Sequence, residues 1–134
     1  MKEELTEEKL TSETPPDLTL LISEHNVRTT RGSYSWSWYN ETEDAMTSIV
    51  ADSGPPPALV NIENGINVFS NANVRLNFKE SPINYVVRIW DIENNITGTY
   101  DEIDLSEHEG KVIFKVISNW EQGTSSYAFS LNIN

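Results

Sequence analysis

Two runs near the end of the chain limit its fold more than any other stretch. Residues 111–120, KVIFKVISNW, are rich in the β-branched and aromatic side chains that favour strands. Glu121, Gln122 and Gly123 break the run. From 124 to 133 apolar and polar residues then alternate. Tyr127, Phe129, Leu131 and Ile133 share one parity, and Ala128, Ser130 and Asn132 share the other. A period of two is the strand period, and two such runs across a short Gly-containing break form a β-hairpin. A chain that closes on this hairpin is committed to a β-sheet core.

The earlier runs agree. Strands are expected over 18–22, 27–39, 46–51, 66–69, 74–78, 85–92 and 96–100, with turns at 23–26, Asn64-Gly65 and Asn94-Asn95. Tyr34, Trp36 and Trp38 fall on one face of the second run, and Ser33, Ser35, Ser37 and Tyr39 on the other. Val74, Leu76 and Phe78 point inward, while 85–92 is apolar on both parities, as a central strand is. Three prolines, Pro55, Pro56 and Pro57, predict an extended path after Gly54. No stretch carries a helical period, and roughly eight to ten short strands between turns indicate a sandwich or barrel. From Ile66 onward the order resembles an immunoglobulin-like Greek key, with Trp90 in its third strand and a long loop before its penultimate one. The expectation is an all-β, immunoglobulin-like Greek-key sandwich of about seven to nine strands.

With no cysteine the core rests on packing alone, without a disulfide or thiol chemistry. A chain of 134 residues is long enough for that. The first 17 residues are acidic, poor in apolar side chains and end in Pro15-Pro16-Asp17, so a disordered tether (1–17) is expected before a sandwich domain (18–134). A short helix through Leu5 and Leu10, ended by the prolines, is the alternative. A net charge of −12 repels nucleic acid. No apolar run reaches the length of a membrane span, and Met1-Lys2-Glu3-Glu4 does not open a signal peptide.

Three stretches carry a resemblance. They are Gly32-Ser33-Tyr34-Ser35-Trp36, then Ala51-Asp52 leading into Pro55-Pro56-Pro57-Ala58-Leu59-Val60, and Trp120-Glu121-Gln122-Gly123 with Tyr127-Ala128-Phe129. In this order the set resembles small exported proteins and lipoproteins of Bacillus-like Gram-positive bacteria, over roughly residues 27–133. The resemblance implies a lipid-modified cysteine and charged tether upstream, so an extracellular, surface-tethered location is expected, with a cytoplasmic one as the alternative. It supplies an address and a fold rather than an activity.

Candidate site residues follow from chemistry. Tyr34, Trp36 and Trp38 would stand about 7 Å apart along one strand face, a spacing suited to stacking on sugar rings; filling the core is the competing role. Trp120 could extend that platform or pack at a strand end. Asp52, Pro55 and Pro56 lie in a stiffened loop that could present a preformed surface or pin a crossover between sheets. Asp101, Glu102, Asp104, Glu107 and Glu109 crowd one loop, but D-x-D-x-D-G spacing is missing, so a solvated loop is favoured over a Ca²⁺ site. His25 and His108 each stand alone in a polar turn. No nucleophile elbow or phosphate-binding glycine loop occurs, and no cofactor or metal is expected. The expected function is that of a non-enzymatic binding or interaction domain, with a protein or a cell-wall glycan as partner. A carbohydrate-binding module for cell-wall glycan is the alternative, and a protease-inhibitor-like domain inserting 54–57 a weaker one.

Overall fold

The computed structural model describes residues 10–134. Among these the chain forms ten strands: β1 (Leu18–Ile22), β2 (His25–Arg28), β3 (Thr30–Asn40), β4 (Ala45–Ala51), β5 (Ile66–Val68), β6 (Val74–Phe78), β7 (Asn84–Trp90), β8 (Ile96–Tyr100), β9 (Gly110–Trp120) and β10 (Gly123–Ile133). One helical turn, α1 (Pro56–Leu59), precedes β5. The fold is all-β, in two sheets. One has three strands in the order β2-β1-β6; the other has seven, in the order β4-β3-β10-β9-β7-β8 with β5 beside β10. All pairings are antiparallel except that of β5 with β10.

The alternation in the last run sets the interior. Tyr127, Phe129, Leu131 and Ile133 all join one buried cluster, as their parity predicts. Val112, Phe114, Val116 and Trp120 enter it from β9, and Leu18, Leu20 and Ile22 face them from β1. The Phe114 and Phe129 rings, opposite each other in register, stack at 5.0 Å and 11°. Phe78 meets Trp120 and Tyr127 edge-on, which favours the positive ring edge against the negative face. Trp36 of β3 joins this cluster, whereas no residue of β4 does.

Several expectations change in the structure. The turn between β9 and β10 holds two residues, because Trp120 pairs directly with Gly123. A Cβ on Gly123 would lie 2.0 Å from the Ser35 carbonyl oxygen, so glycine is what lets β3 approach. The run 27–39 is divided at Thr29, whose hydroxyl donates to the Leu18 carbonyl (2.6 Å). The prolines do not stay extended: Pro56 and Pro57 open α1, where a missing N–H leaves no helical bond unmade. Trp90 leaves the core. Val87 and Ile89 take the inward parity of β7, so Trp90 faces outward.

Residues 1–9 of the expected tether, and Leu5 of the alternative helix, lie outside the described residues. Residues 10–17 do not stand off the domain. The Leu10 carbonyl accepts from the Tyr39 N–H (2.9 Å), continuing along β3 where β10 has ended. The Ser12 carbonyl accepts from Trp36 Nε1 and from Gln122 Nε2, both at 2.9 Å. The Pro16 carbonyl accepts from the Tyr127 hydroxyl at 2.5 Å, and Pro15 is buried. Composition argued for disorder because the stretch has few apolar side chains. What orders it is its carbonyls, which satisfy donors of large core aromatics that would otherwise be buried unpaired. Deleting residues 1–17 is therefore expected to cost on the order of 2–4 kcal/mol, read as a fall in the urea midpoint; an unchanged midpoint would show that this segment only decorates the domain.

Candidate functional site

The aromatic row of β3 faces the interior. Trp36 is 2 % exposed, and its indole meets Trp120 edge-on at 5.7 Å. Tyr34 and Trp38 pack against the same cluster and are partly buried. Trp120 is 7 % exposed, with Nε1 donating to the Glu80 carbonyl (2.9 Å). The residues expected as a sugar platform thus do not form one surface, because the parity that aligned them also turns them inward.

The loop candidates do reach the outside. Asp52 and Pro55 are exposed, and Pro56, the first residue of α1, is buried. This segment lies on the outer face of the larger sheet: a Cβ on Gly32 would meet the Ser126 hydroxyl at 2.6 Å and Leu59 at 3.3 Å. Gly32 gives the loop room to settle across β3 and β10. Ser53 ties its start to β3, with its N–H donating to the Ser33 hydroxyl (3.0 Å). Beside the loop runs an open groove of about 290 Å³. Its lining is mainly apolar, from Tyr34, Val50, Ala51 and Ile117, with the hydroxyls of Ser33, Ser35, Thr124 and Ser126 and the charged Asp52 and Lys115 set among them.

Next to that groove the sheet ends at β4. This strand pairs with β3 without a bulge from Asn40↔Ala45 to Tyr34↔Ala51, and among the described residues no other strand lies on its far side. Its sequence, AMTSIVA, has no charge and no proline. Met46 is 65 % and Val50 70 % exposed on the outer face, and Ile49 is 42 % exposed on the inner one, where the smaller sheet does not reach. The other strand edges are shorter or carry charge. β2 has four residues and carries His25 and Arg28. β6 carries Arg75, and β8 is a five-residue strand holding Gly98.

Within the acidic loop, Asp104 is spent on a local turn. Asp104 Oδ1 accepts from the Ser106 N–H (3.0 Å) and hydroxyl (2.6 Å), closing a 3₁₀ turn at Leu105–Glu107. Those hydrogen bonds hold the Asp104 carboxyl below its ordinary range. Leu105 plugs the loop into the core at 2 % exposure. Among the described residues no group of three or more His, Asp or Glu is placed to hold a metal ion. His108 sits edge-on between Tyr100 and Phe114, at 5.2 and 5.7 Å. His25 lies on the exposed edge strand β2. Among the described residues no helix is long and apolar enough to cross a membrane.

With this geometry established, comparison with family models, curated proteins and solved structures finds no significant match. The site must be read from its own residues. Two features had no sequence signal strong enough to find them. One is the openness of β4, which depends on strand order. The other is the pairing of outward bases across β7 and β9, which depends on register.

Tyr85 offers a pH-sensitive marker of the opposite sheet edge. Its hydroxyl donates to Glu102 Oε1 (2.5 Å). Burial first, then this hydrogen bond and the Glu102 charge, push its pKa up to about 12. Burial also raises Tyr127. Because the folded form holds the Tyr85 proton more tightly than the unfolded chain does, its contribution is complete below pH 10 and disappears as pH rises towards 12. An alkaline absorbance titration should show a late tyrosinate step that Tyr85→Phe removes. Denaturant stability above pH 10 should fall less steeply in that variant.

Proposed function

We propose that this chain is a non-enzymatic β-sandwich interaction domain that takes up an extended segment of a protein partner along the free edge of β4. The carrying observation is the uncharged, proline-free, bulge-free edge of seven residues. An edge strand offers a row of unpaired N–H and C=O groups, and folded proteins ordinarily blunt it with charge, proline, a bulge or shortness. β4 has none of these. Main-chain pairing supplies the affinity in strand addition, and side chains on alternate positions supply selectivity. Met46 and Val50 would meet the added strand on one face and Ile49 on the other.

Charge selects the partner. Glu41, Glu43 and Asp44 precede β4, and Asp52 follows it. A second copy added antiparallel would set the 41–44 acids of one chain beside Asp52 of the other, and each chain carries −12. Like charges at such positions oppose pairing. The fitting segment has an uncharged, alternating centre and lysine or arginine at its ends.

The immunoglobulin relation belongs to the same reading. It is supported by the path β10-β9-β7-β8, which matches the order in which the sheet with the final strand of that fold extends outward. The facing sheet departs from it: β1 and β2 from the start of the chain stand where the fold would place strands from between β8 and β9. Export and surface tethering complete the proposal, on the strength of the lipoprotein resemblance.

Panning a random peptide library against the whole chain tests the proposal. Enriched peptides should have uncharged alternating centres with basic ends, and Met46→Lys with Ser48→Lys should weaken them at least about tenfold, or ~1.4 kcal/mol. Peptides that bind this variant as tightly as the parent, or concentration-dependent dimerisation of the chain through β4, would remove the reading.

A further inference from the structure

The larger sheet carries a second feature on its outer face, away from the β4 edge. Register sets Arg88 of β7 directly opposite Lys115 of β9. Their chain neighbours Val87 and Val116 point into the core, so both bases point outward. Like charges facing each other across a strand pair are destabilising, and this chain has 21 acids for 9 bases with which to relieve them. It does not do so. The residues beside the pair in register are Thr99 on β8 and Ala128 on β10. Arg31 and Lys111 each hold a carboxylate, of Asp17 and Glu63 respectively. Among the described residues neither Arg88 nor Lys115 does.

Three details show that the arrangement lacks an acceptor. Arg88 Nε is closed off from water and donates to nothing. Trp90 Nε1, two residues along the same face, is in the same condition. The Lys115 ammonium rests 5.3 Å from the centre of the Trp90 ring, where the π-face takes the place of a counter-ion. Burial, and after it the charge of Arg88, lowers the Lys115 pKa. An oxyanion would pair with both cations at once, and a guanidinium fork suits carboxylate or phosphate geometry.

We propose that Arg88, Lys115 and Trp90 form a binding site for the oxyanion of a small, hydroxyl-rich ligand, a sugar acid or sugar phosphate, whose hydroxyl groups lie along the neighbouring groove. Lys115 belongs to both the cation pair and that groove, which continues past Thr124 and Ser126 to Ser33 and Ser35. Thr124 and Ser126 spend their protons on Asn119 Oδ1 and the Ser33 carbonyl, so their oxygens accept from a polyol. Ser35, whose hydroxyl has no partner among the described residues, can also donate. Asp52 accepts at the far end of the groove and repels a second anionic group there. A ligand with one charged end is therefore preferred to a polyanion. The groove shares Val50 with the β4 edge but not Met46 or Ser48, so the Met46→Lys Ser48→Lys variant separates this site from strand addition.

The test uses the whole chain with four probes: glucuronate, glucose 6-phosphate, inorganic phosphate and glucose. Titration calorimetry and tryptophan emission report binding, and thermal unfolding reports the fold. At least one of the two charged sugars should bind and alter an emission component that Trp90→Phe removes. Glucose should not bind, and inorganic phosphate should bind at least about tenfold more weakly than the better charged sugar. Glucuronate binding over glucose 6-phosphate assigns a carboxylate ligand, and the reverse order assigns a phosphate. Lys115→Gln separates a site from a structural role: it relieves the repulsion, so the melting temperature should hold or rise while binding falls at least about tenfold. Arg88→Lys keeps the charge but loses the fork and should fall between parent and Arg88→Gln. Silence from both charged sugars, equal binding of glucose, equal binding of inorganic phosphate, or full binding by Lys115→Gln overturns the proposal.

Discussion

The ladder between β9 and β10 is the constraint on which the other contacts depend. It runs from Gly110↔Ile133 to Trp120↔Gly123 without a shift. Because side chains alternate, a slip of one residue would turn Phe114, Val116, Phe129 and Leu131 out to solvent together. The two-residue turn fixes that register at one end. β10 then serves as the template for β3 over its first half and for β5 over its last three residues. On its other flank β9 carries β7. Errors in this hairpin would therefore propagate into nearly every pairing of the larger sheet.

Seven strands against three leave a mismatch that gives the molecule its surfaces. The smaller sheet covers the centre of the inner face, where Leu20, Phe114 and Leu131 reach zero exposure. It cannot cover the whole. Residues 10–17 cap Trp36 and Tyr127 with carbonyl oxygens, and the loop at Leu105 closes part of the opposite flank. At β4 no cover remains among the described residues, and Ile49 stays half-open although it lies opposite the buried Trp36. The exposed apolar side chains of β4 thus follow from sheet width, while the absence of charge on the strand follows from the sequence alone.

Period-two patterning made the interior readable: the inward parities of β10, β6 and β3 all meet the core cluster. It did not show that Ser126 and Ala128, on the outward parity of β10, are buried as well. The same rule turned the β3 aromatics inward and so argued against the platform that their spacing suggested. What patterning could not supply was partnership. A string of residues does not state that β4 is an edge, that residues 10–12 continue beside β3, or that Arg88 stands opposite Lys115. These facts depend on strand order and register, which are set by many contacts distant in sequence. Pro55-Pro56-Pro57 misled for a local reason. Proline fixes φ near the helical value as well as the extended one, and Val60 N–H reaching the Pro56 carbonyl (3.1 Å) decided between them.

Electrostatics connects these surfaces. In a chain with so large an excess of carboxylates, two adjacent outward bases with a neutral surround occupy a rare position, and the sheet keeps them there through register. Moving either base by one residue along its strand would carry it into the core, so the pair is as firmly placed as the side chains beneath it. The same excess works in the opposite sense at β4, where acids stand at both ends of a neutral strand. One face of the sheet is thereby suited to an anion, and its edge to a segment with basic ends. Both preferences weaken with added salt, the edge more than the face, because its acids are exposed while Arg88 and Lys115 are partly withdrawn from water.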